Sequence, residues 1–176
     1  MLYLIAYRIE GDAAAYYARL TGELERRFGI ENLARRIPAH VTLKPPFKTG
    51  DIAPVLAKLE EVARRTIAVP LTLSGFETFR QKTVYLDVAM SPELQQVGTD
   101  LASEFSELVD GRGVPLPIKM HVSVARKLAP GLYKRIMQYL EGVPAPHHEM
   151  SFDNVTLFRH TGVKWVMERA FPLAPR

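Results

Sequence analysis

The chain has 176 residues and a mass of 19.8 kDa, enough for one substantial domain or two small lobes on a shared core, and too short for two large independent domains. Hydrophobic residues make up 47% and charged residues 24%, which excludes general disorder, and a net charge of +4 suits an anionic partner without demonstrating one. With no cysteine, disulfide frameworks, thiolate metal sites and cysteine nucleophiles are excluded together.

The apolar stretch at residues 1–7 runs straight into Arg8 and Glu10, with neither the length nor the cleavage pattern of a signal peptide. No run approaches the length of a membrane span, so a cytoplasmic protein without membrane association is expected. Residues 2–9 are apolar nearly throughout and predict a first strand. Residues 12–28 show helical periodicity between an Asp12 cap and Gly29. After the basic connection Arg35-Arg36-Ile37-Pro38, residues 39–44 alternate small, polar and branched side chains as a strand does, and Pro45-Pro46 is expected to end it. Residues 51–65 predict a second helix, with Ile52, Val55, Leu56, Leu59 and Val62 at helical spacing and Pro54 confined to the first turn. Residues 69–79 and 83–90 read as a hairpin about the polar turn Arg80-Gln81-Lys82. A helix over 91–108, a Gly- and Pro-bearing loop over 110–117, a strand over 119–126 and a helix over about 130–140 follow. A loop rich in Pro and His then leads to strands over 151–159 and 163–171, joined by His160-Thr161-Gly162.

Residues repeat along with the elements. His40-Val41-Thr42 is answered by His121-Val122-Ser123 at an offset of 81 residues, and Phe79-Arg80 by Phe158-Arg159 at an offset of 79. Two matches in the same order imply an internal duplication: a single domain of residues 1–176 built from two pseudo-symmetric lobes, with one motif at 40–43 and the other at 121–124.

On a strand, residues two apart share a face, so His40 and Thr42 point one way while Val41 and Leu43 point the other; His121 and Ser123 stand likewise against Val122 and Val124. Each segment offers an imidazole beside a hydroxyl on one face and a branched apolar pair to anchor the other. A single His-x-Thr is usually a surface pair or a hydrogen-bonded core histidine. Of the five histidines, however, these two alone have a hydroxyl two residues on: His147 is followed there by Glu149, His148 by Met150 and His160 by Gly162. Imidazole titrates near neutral pH, so an opposed pair supplies a base for water and an acid for a departing ribose oxygen. Hydroxyls beside them are suitable donors to the non-bridging oxygens of a phosphate.

Paired motifs of this kind, His40-Val41-Thr42-Leu43 before Lys44-Pro45-Pro46-Phe47 and His121-Val122-Ser123-Val124 before Ala125-Arg126, resemble the two-histidine phosphoesterase superfamily. Within it the chain is similar to proteins of the 2′-5′ RNA ligase and RNA 2′,3′-cyclic phosphodiesterase type, over almost its whole length. Ser123 in place of the more usual Thr keeps the donor. The resemblance implies an α+β fold of two lobes, each an antiparallel sheet with helices on its outer face, around a V-shaped cleft floored by both motifs. It further implies opening of the 2′,3′-cyclic phosphate of an RNA end or small nucleotide by a monomer, without metal or cofactor, and 2′-5′ ligation in reverse. By resemblance His121 is the base of hydrolysis and His40 the acid.

Lys44 falls on the His40 face by alternation and can approach phosphate. Arg126 alternates away unless its strand bulges, although a basic residue at its place is frequent in the family. Tyr85 and Trp165 occupy corresponding places in the two hairpins as candidates to stack on a base. Phe79 and Phe158 read as core, and Arg80 and Arg159 as turn residues. Adjacent His147 and His148 point to opposite faces of an extended segment, which disfavours a metal site. No phosphate-binding glycine loop, dinucleotide fingerprint or serine-nucleophile elbow is present in the sequence. Two other readings stay open: a non-catalytic RNA-end or nucleotide-binding module, and a hydrolase of a non-RNA phosphoester.

Overall fold

The computed structural model describes residues 1–109 and 111–176; Asp110, the first residue of the expected loop 110–117, lies outside the described residues. Strand β1 (Leu2–Arg8) is buried on both faces, which is why its sequence is apolar almost without alternation. Helix α1 (Gly11–Phe28) buries one stripe, Ala13, Tyr17, Leu20, Thr21 and Leu24. It stops where Gly29 turns left-handed (φ 66°) and donates its N–H to the Glu25 carbonyl. Its start departs from expectation, since Glu10 holds the cap position and Asp12 lies inside the first turn.

Strand β2 (His40–Lys48) carries the first motif and continues through Pro45-Pro46 instead of ending there. It is an edge strand, so the missing proline donors leave no ladder unpaired on its outer side. Helix α2 (Ala53–Arg65) follows, with Asp51 accepting the Ala53 N–H at 2.9 Å. Strands β3 (Val69–Phe79) and β4 (Thr83–Ala89) form the expected hairpin. Its turn holds Arg80 (φ 50°) and Gln81 (φ 54°) in the left-handed region, a conformation usually given to Asn-Gly. Helix α3 (Pro92–Leu108) is capped by Ser91, whose hydroxyl accepts the Leu94 N–H. Strand β5 (His121–Ala125) carries the second motif and is followed by helix α4 (Pro130–Glu141). The stretch expected as a Pro- and His-rich loop contains a further strand, β6 (His147–Phe152), paired with β3 at the sheet edge. The last hairpin is β7 (Asn154–His160) and β8 (Trp165–Pro172).

Two four-stranded antiparallel sheets result, with orders β2-β1-β7-β8 and β5-β4-β3-β6. The duplication is spatial as well as sequential: β1-α1-β2-α2-β3 is repeated by β4-α3-β5-α4-β7, with β6 inserted between α4 and β7. The third strand of each repeat joins the sheet of the other, β3 beside β4 and β7 beside β1. Helices cross over too, α1 packing on β5 and α3 on β2. One continuous hydrophobic core joins both sheets and all four helices. Within it Leu24, Leu59 and Ile136 are wholly buried, each contributing about 1.5–3 kcal/mol. Tyr7 of one sheet packs on Phe152 of the other at 4.8 Å between ring centroids, and its hydroxyl donates to the Ser151 carbonyl.

Candidate active site

Cross-strand pairing gives each motif its neighbours. On the first sheet Arg8 lies opposite His40 and Ala6 opposite Thr42; on the second, Asp87 lies opposite His121 and Tyr85 opposite Ser123. Paired residues share a face, so each imidazole stands beside a charged residue of its neighbouring strand, cationic for His40 and anionic for His121. Lys119 holds Asp87 in an ion pair at the second motif.

Directly after each hydroxyl the strand bulges. The register passes from Ala6–Thr42 to Ile5–Lys44 on one sheet and from Tyr85–Ser123 to Val84–Ala125 on the other, leaving Leu43 and Val124 as the extra residues. Simple alternation therefore fails beyond both motifs. Lys44 turns into the core, 0% exposed, and donates from Nζ to the carbonyls of Ser106 (3.3 Å) and Val109 (3.1 Å) at the C-terminus of α3. The expectation that it lies on the His40 face for phosphate is corrected accordingly. The same bulge brings Arg126 back to the cleft, where its charge bears on His40. In the first repeat the corresponding position is Pro45, which lines the cavity shared by Thr42 and His121.

Both imidazoles are fixed in the same way. His40 Nδ1 lies 2.9 Å from the Pro38 carbonyl and His121 Nδ1 lies 3.0 Å from the Lys119 carbonyl. Each Nδ1 carries the proton to donate, which leaves Nε2 as the free base. Burial lowers the His40 pKa to about 4; the Pro38 bond opposes this, and the charges of Arg126 and His121 add to it. Burial also lowers His121, opposed by the Lys119 carbonyl; the Lys119 ammonium pushes further down and Asp87 pushes back up. That His40 feels the charges of His121 and Arg126 places the two motifs within electrostatic reach of each other.

The aromatic residues fall out differently from expectation. Phe79, read as core, is 36% exposed, stacks on Tyr85 at 4.3 Å and meets His121 edge-on at 4.8 Å. Tyr85, expected to stack on a base, is 4% exposed beneath that ring, so Phe79 presents the open face instead. Phe158 is core, with Leu4, Ala6 and Ile37, and Trp165 packs against this cluster. Arg159 is an ion-paired strand residue (2.7 Å to Glu168) rather than a turn residue, while Arg80 lies in its turn. A cavity of about 470 Å³ is lined by Thr42, Pro45, Phe79, Val114, Pro117 and His121, among others. Its wall at 114–118 is hidden in the sequence because a Gly- and Pro-bearing loop shows no periodicity. His147 faces Glu149 at 3.5 Å, and His148 rests against Tyr16. Among the described residues no group of three His, Asp or Glu side chains is gathered to hold a metal, and no helix is long and apolar enough to cross a membrane.

Twin sheets with one His-x-hydroxyl strand each, around a common cleft, have the duplicated architecture of the two-histidine phosphoesterases. The family model of the 2′-5′ RNA ligase superfamily matches residues 12–164, and the chain belongs to that superfamily. TT0787 of Thermus thermophilus has a similar crystal structure, with a TM-score of 0.69 at 18% identity, covering 100% of both chains. LigT of E. coli is similar too. Its complex with NADP+ gives a TM-score of 0.60 at 17% identity, covering 98% of this chain and 96% of that one; its complex with 3′-AMP gives 0.59 at 16%, covering 97% of each. Among curated proteins none matches the chain significantly.

Proposed function

We propose that the chain is a phosphodiesterase that opens the 2′,3′-cyclic phosphate of RNA ends or small nucleotides by acid–base catalysis with His40 and His121, without a metal. In this reading residues 1–176 act as one domain whose two lobes each supply a motif. The observation that carries it is the meeting of the motifs: Thr42 of the first and His121 of the second line one cavity, and both imidazoles keep Nε2 free by the same Nδ1 bond. The E. coli LigT complexes with 3′-AMP and with phosphate support a nucleoside phosphate as the kind of ligand.

In the proposed step one imidazole Nε2 takes a proton from water, the water oxygen bonds to phosphorus, and the bond from phosphorus to one ribose oxygen breaks. The other imidazole gives its Nε2 proton to that oxygen. Thr42, Ser123 and Arg126 donate to the non-bridging oxygens. The two environments argue for roles opposite to those implied by resemblance. Burial holds both imidazoles below the ordinary histidine range, His40 the further, to about 4, so His121 is the more readily protonated of the two and the better suited to be the acid. In 2′-5′ ligation the 5′-hydroxyl of a second RNA end takes the place of water: its oxygen bonds to phosphorus, the bond from phosphorus to the 3′-oxygen breaks, and the two imidazoles keep the same roles.

The test is turnover of 2′,3′-cyclic nucleotides, cyclic-ended oligoribonucleotides and 2′-5′ linked dimers, with product identification. His40→Ala and His121→Ala are each expected to lower kcat/KM by about 10²–10⁴-fold with the fold intact by circular dichroism, and a chelator is expected to leave the wild type unchanged. No turnover of any substrate, with nucleotide binding that survives both substitutions, would leave a binding module in its place.

A further inference from the structure

A second cavity, of about 310 Å³, is lined by Glu31, Arg36, Arg126, His160, Val163 and Trp165, together with Gly162. Its chemistry is the inverse of the Phe79 side. Where that wall is mostly aromatic and aliphatic, its one cation, Lys119, being paired with Asp87, this one gathers two guanidiniums, an imidazole and an indole around one carboxylate. It adjoins both motifs: Arg126 follows directly on β5, and Trp165 packs against the cluster of Phe158, whose ring centroid lies 6.2 Å from that of His40.

The cations are arranged in advance. Arg36 donates from Nε to Glu31 (2.8 Å) and from Nη1 to the Val163 carbonyl (2.8 Å), while its own carbonyl accepts the Trp165 N–H (2.8 Å). Arg126 makes no ion pair among the described residues. His160 differs from the motif histidines: its Nδ1 accepts the Gly162 N–H at 3.1 Å, so the neutral ring carries its proton on Nε2 as a donor. The Trp165 ring meets His160 edge-on at 5.0 Å and holds it in place. With Arg36, Arg126 and the Nε2–H of His160 against Glu31, the cavity is a positively biased donor site.

We infer that this cavity is a second anion site, which takes the 5′-phosphate, or the next internucleotide phosphate, of a nucleotide whose cyclic phosphate lies between His40 and His121. The inference rests on the proposed phosphodiesterase reading and extends it. A cyclic nucleotide has an apolar end at the base and, when phosphorylated or chain-linked, an anionic end at the 5′ carbon. Two cavities match these ends: the one at Thr42 and His121 carries the apolar side chains of Phe79, Val114 and Pro117, and the one at Arg126 carries the cations. Substrates with a second phosphate are thereby preferred over nucleoside cyclic phosphates with a free 5′-hydroxyl.

The experiment compares adenosine 3′-phosphate, adenosine 3′,5′-bisphosphate and a dinucleotide 3′-phosphate by calorimetry, with Trp165, the single tryptophan, as a fluorescent reporter of the cavity. The bisphosphate or the dinucleotide binds about tenfold or more tightly than the monophosphate and alters Trp165 emission. Whichever shows the larger gain identifies a terminal or an internucleotide phosphate as the natural occupant. Arg36→Met and His160→Gln erase the gain while the monophosphate affinity stays unchanged, and Glu31→Gln enlarges it. Equal affinity for all three ligands overturns the inference, as does a gain that survives both Arg36→Met and His160→Gln. If the gain follows these variants but no cyclic phosphate is turned over, the anion site stands and the phosphodiesterase reading fails.

Discussion

Lowering the pH should unfold this protein partly through His40, by an amount the site geometry sets. The folded-state pKa of His40 is held at about 4, whereas an exposed imidazole titrates near 6.5. Between those values the unfolded chain binds a proton that the folded chain refuses. Stability is therefore full above 6.5, falls as pH drops from 6.5 towards 4, and levels off for this group below both values. At about 1.4 kcal/mol per pH unit the total is about 3 kcal/mol, enough to move the melting temperature of a domain this size by about 6–12 °C. Urea unfolding of wild type and His40→Gln at several pH values between 7.5 and 4 isolates the contribution, because the other titrating groups are common to both proteins. The stability gap between the two should change by about 3 kcal/mol across the range, in the direction that favours the variant in acid. Parallel stability curves would refute the burial-driven account of His40.

Four further outcomes are expected. Arg126→Met removes a cation acting on His40, so the imidazole titrates at higher pH, as followed by proton NMR of the histidine ring. Lys44→Met leaves the Ser106 and Val109 carbonyls unmet and costs about 2–3 kcal/mol in urea unfolding, while kcat changes by less than about twofold. Phe79→Ala raises KM for cyclic nucleotides by about tenfold, the worth of a stacked base, with little change in kcat. An aryl phosphodiester, whose leaving group needs no proton, restores much of the activity of His121→Ala but not of His40→Ala, if His121 is the acid.

Alternation makes the two motifs legible in the sequence, and internal comparison places them on equivalent strands. Alternation also fails at a definable point. Leu43 and Val124 bulge, and one extra residue sends Lys44 into the core and Arg126 into the cleft, the reverse of a simple count in both cases. Nothing in Leu43 or Val124 announces a bulge, because both are ordinary strand formers. Strand β6 is hidden for another reason. It lies at a sheet edge with His147, Glu149 and Ser151 exposed, so backbone pairing to β3 holds it, with little apolar pattern to read. Phe79 reads as core because aromatic residues in hairpins usually are, and the open cleft beside it arises only when the two sheets come together. Of the exchange between repeats, the pairing of β3 with β4 is the expected hairpin, whereas that of β7 with β1 joins strands far apart in the sequence, a choice of partner that local pattern does not encode.

That exchange leaves the two halves of the molecule interlocked. A cut or truncation that removes one repeat strips a strand from the sheet of the other, and takes away the helix that backs its histidine strand. No half-molecule then keeps a supported motif, so limited damage abolishes function outright instead of leaving a weakened remnant.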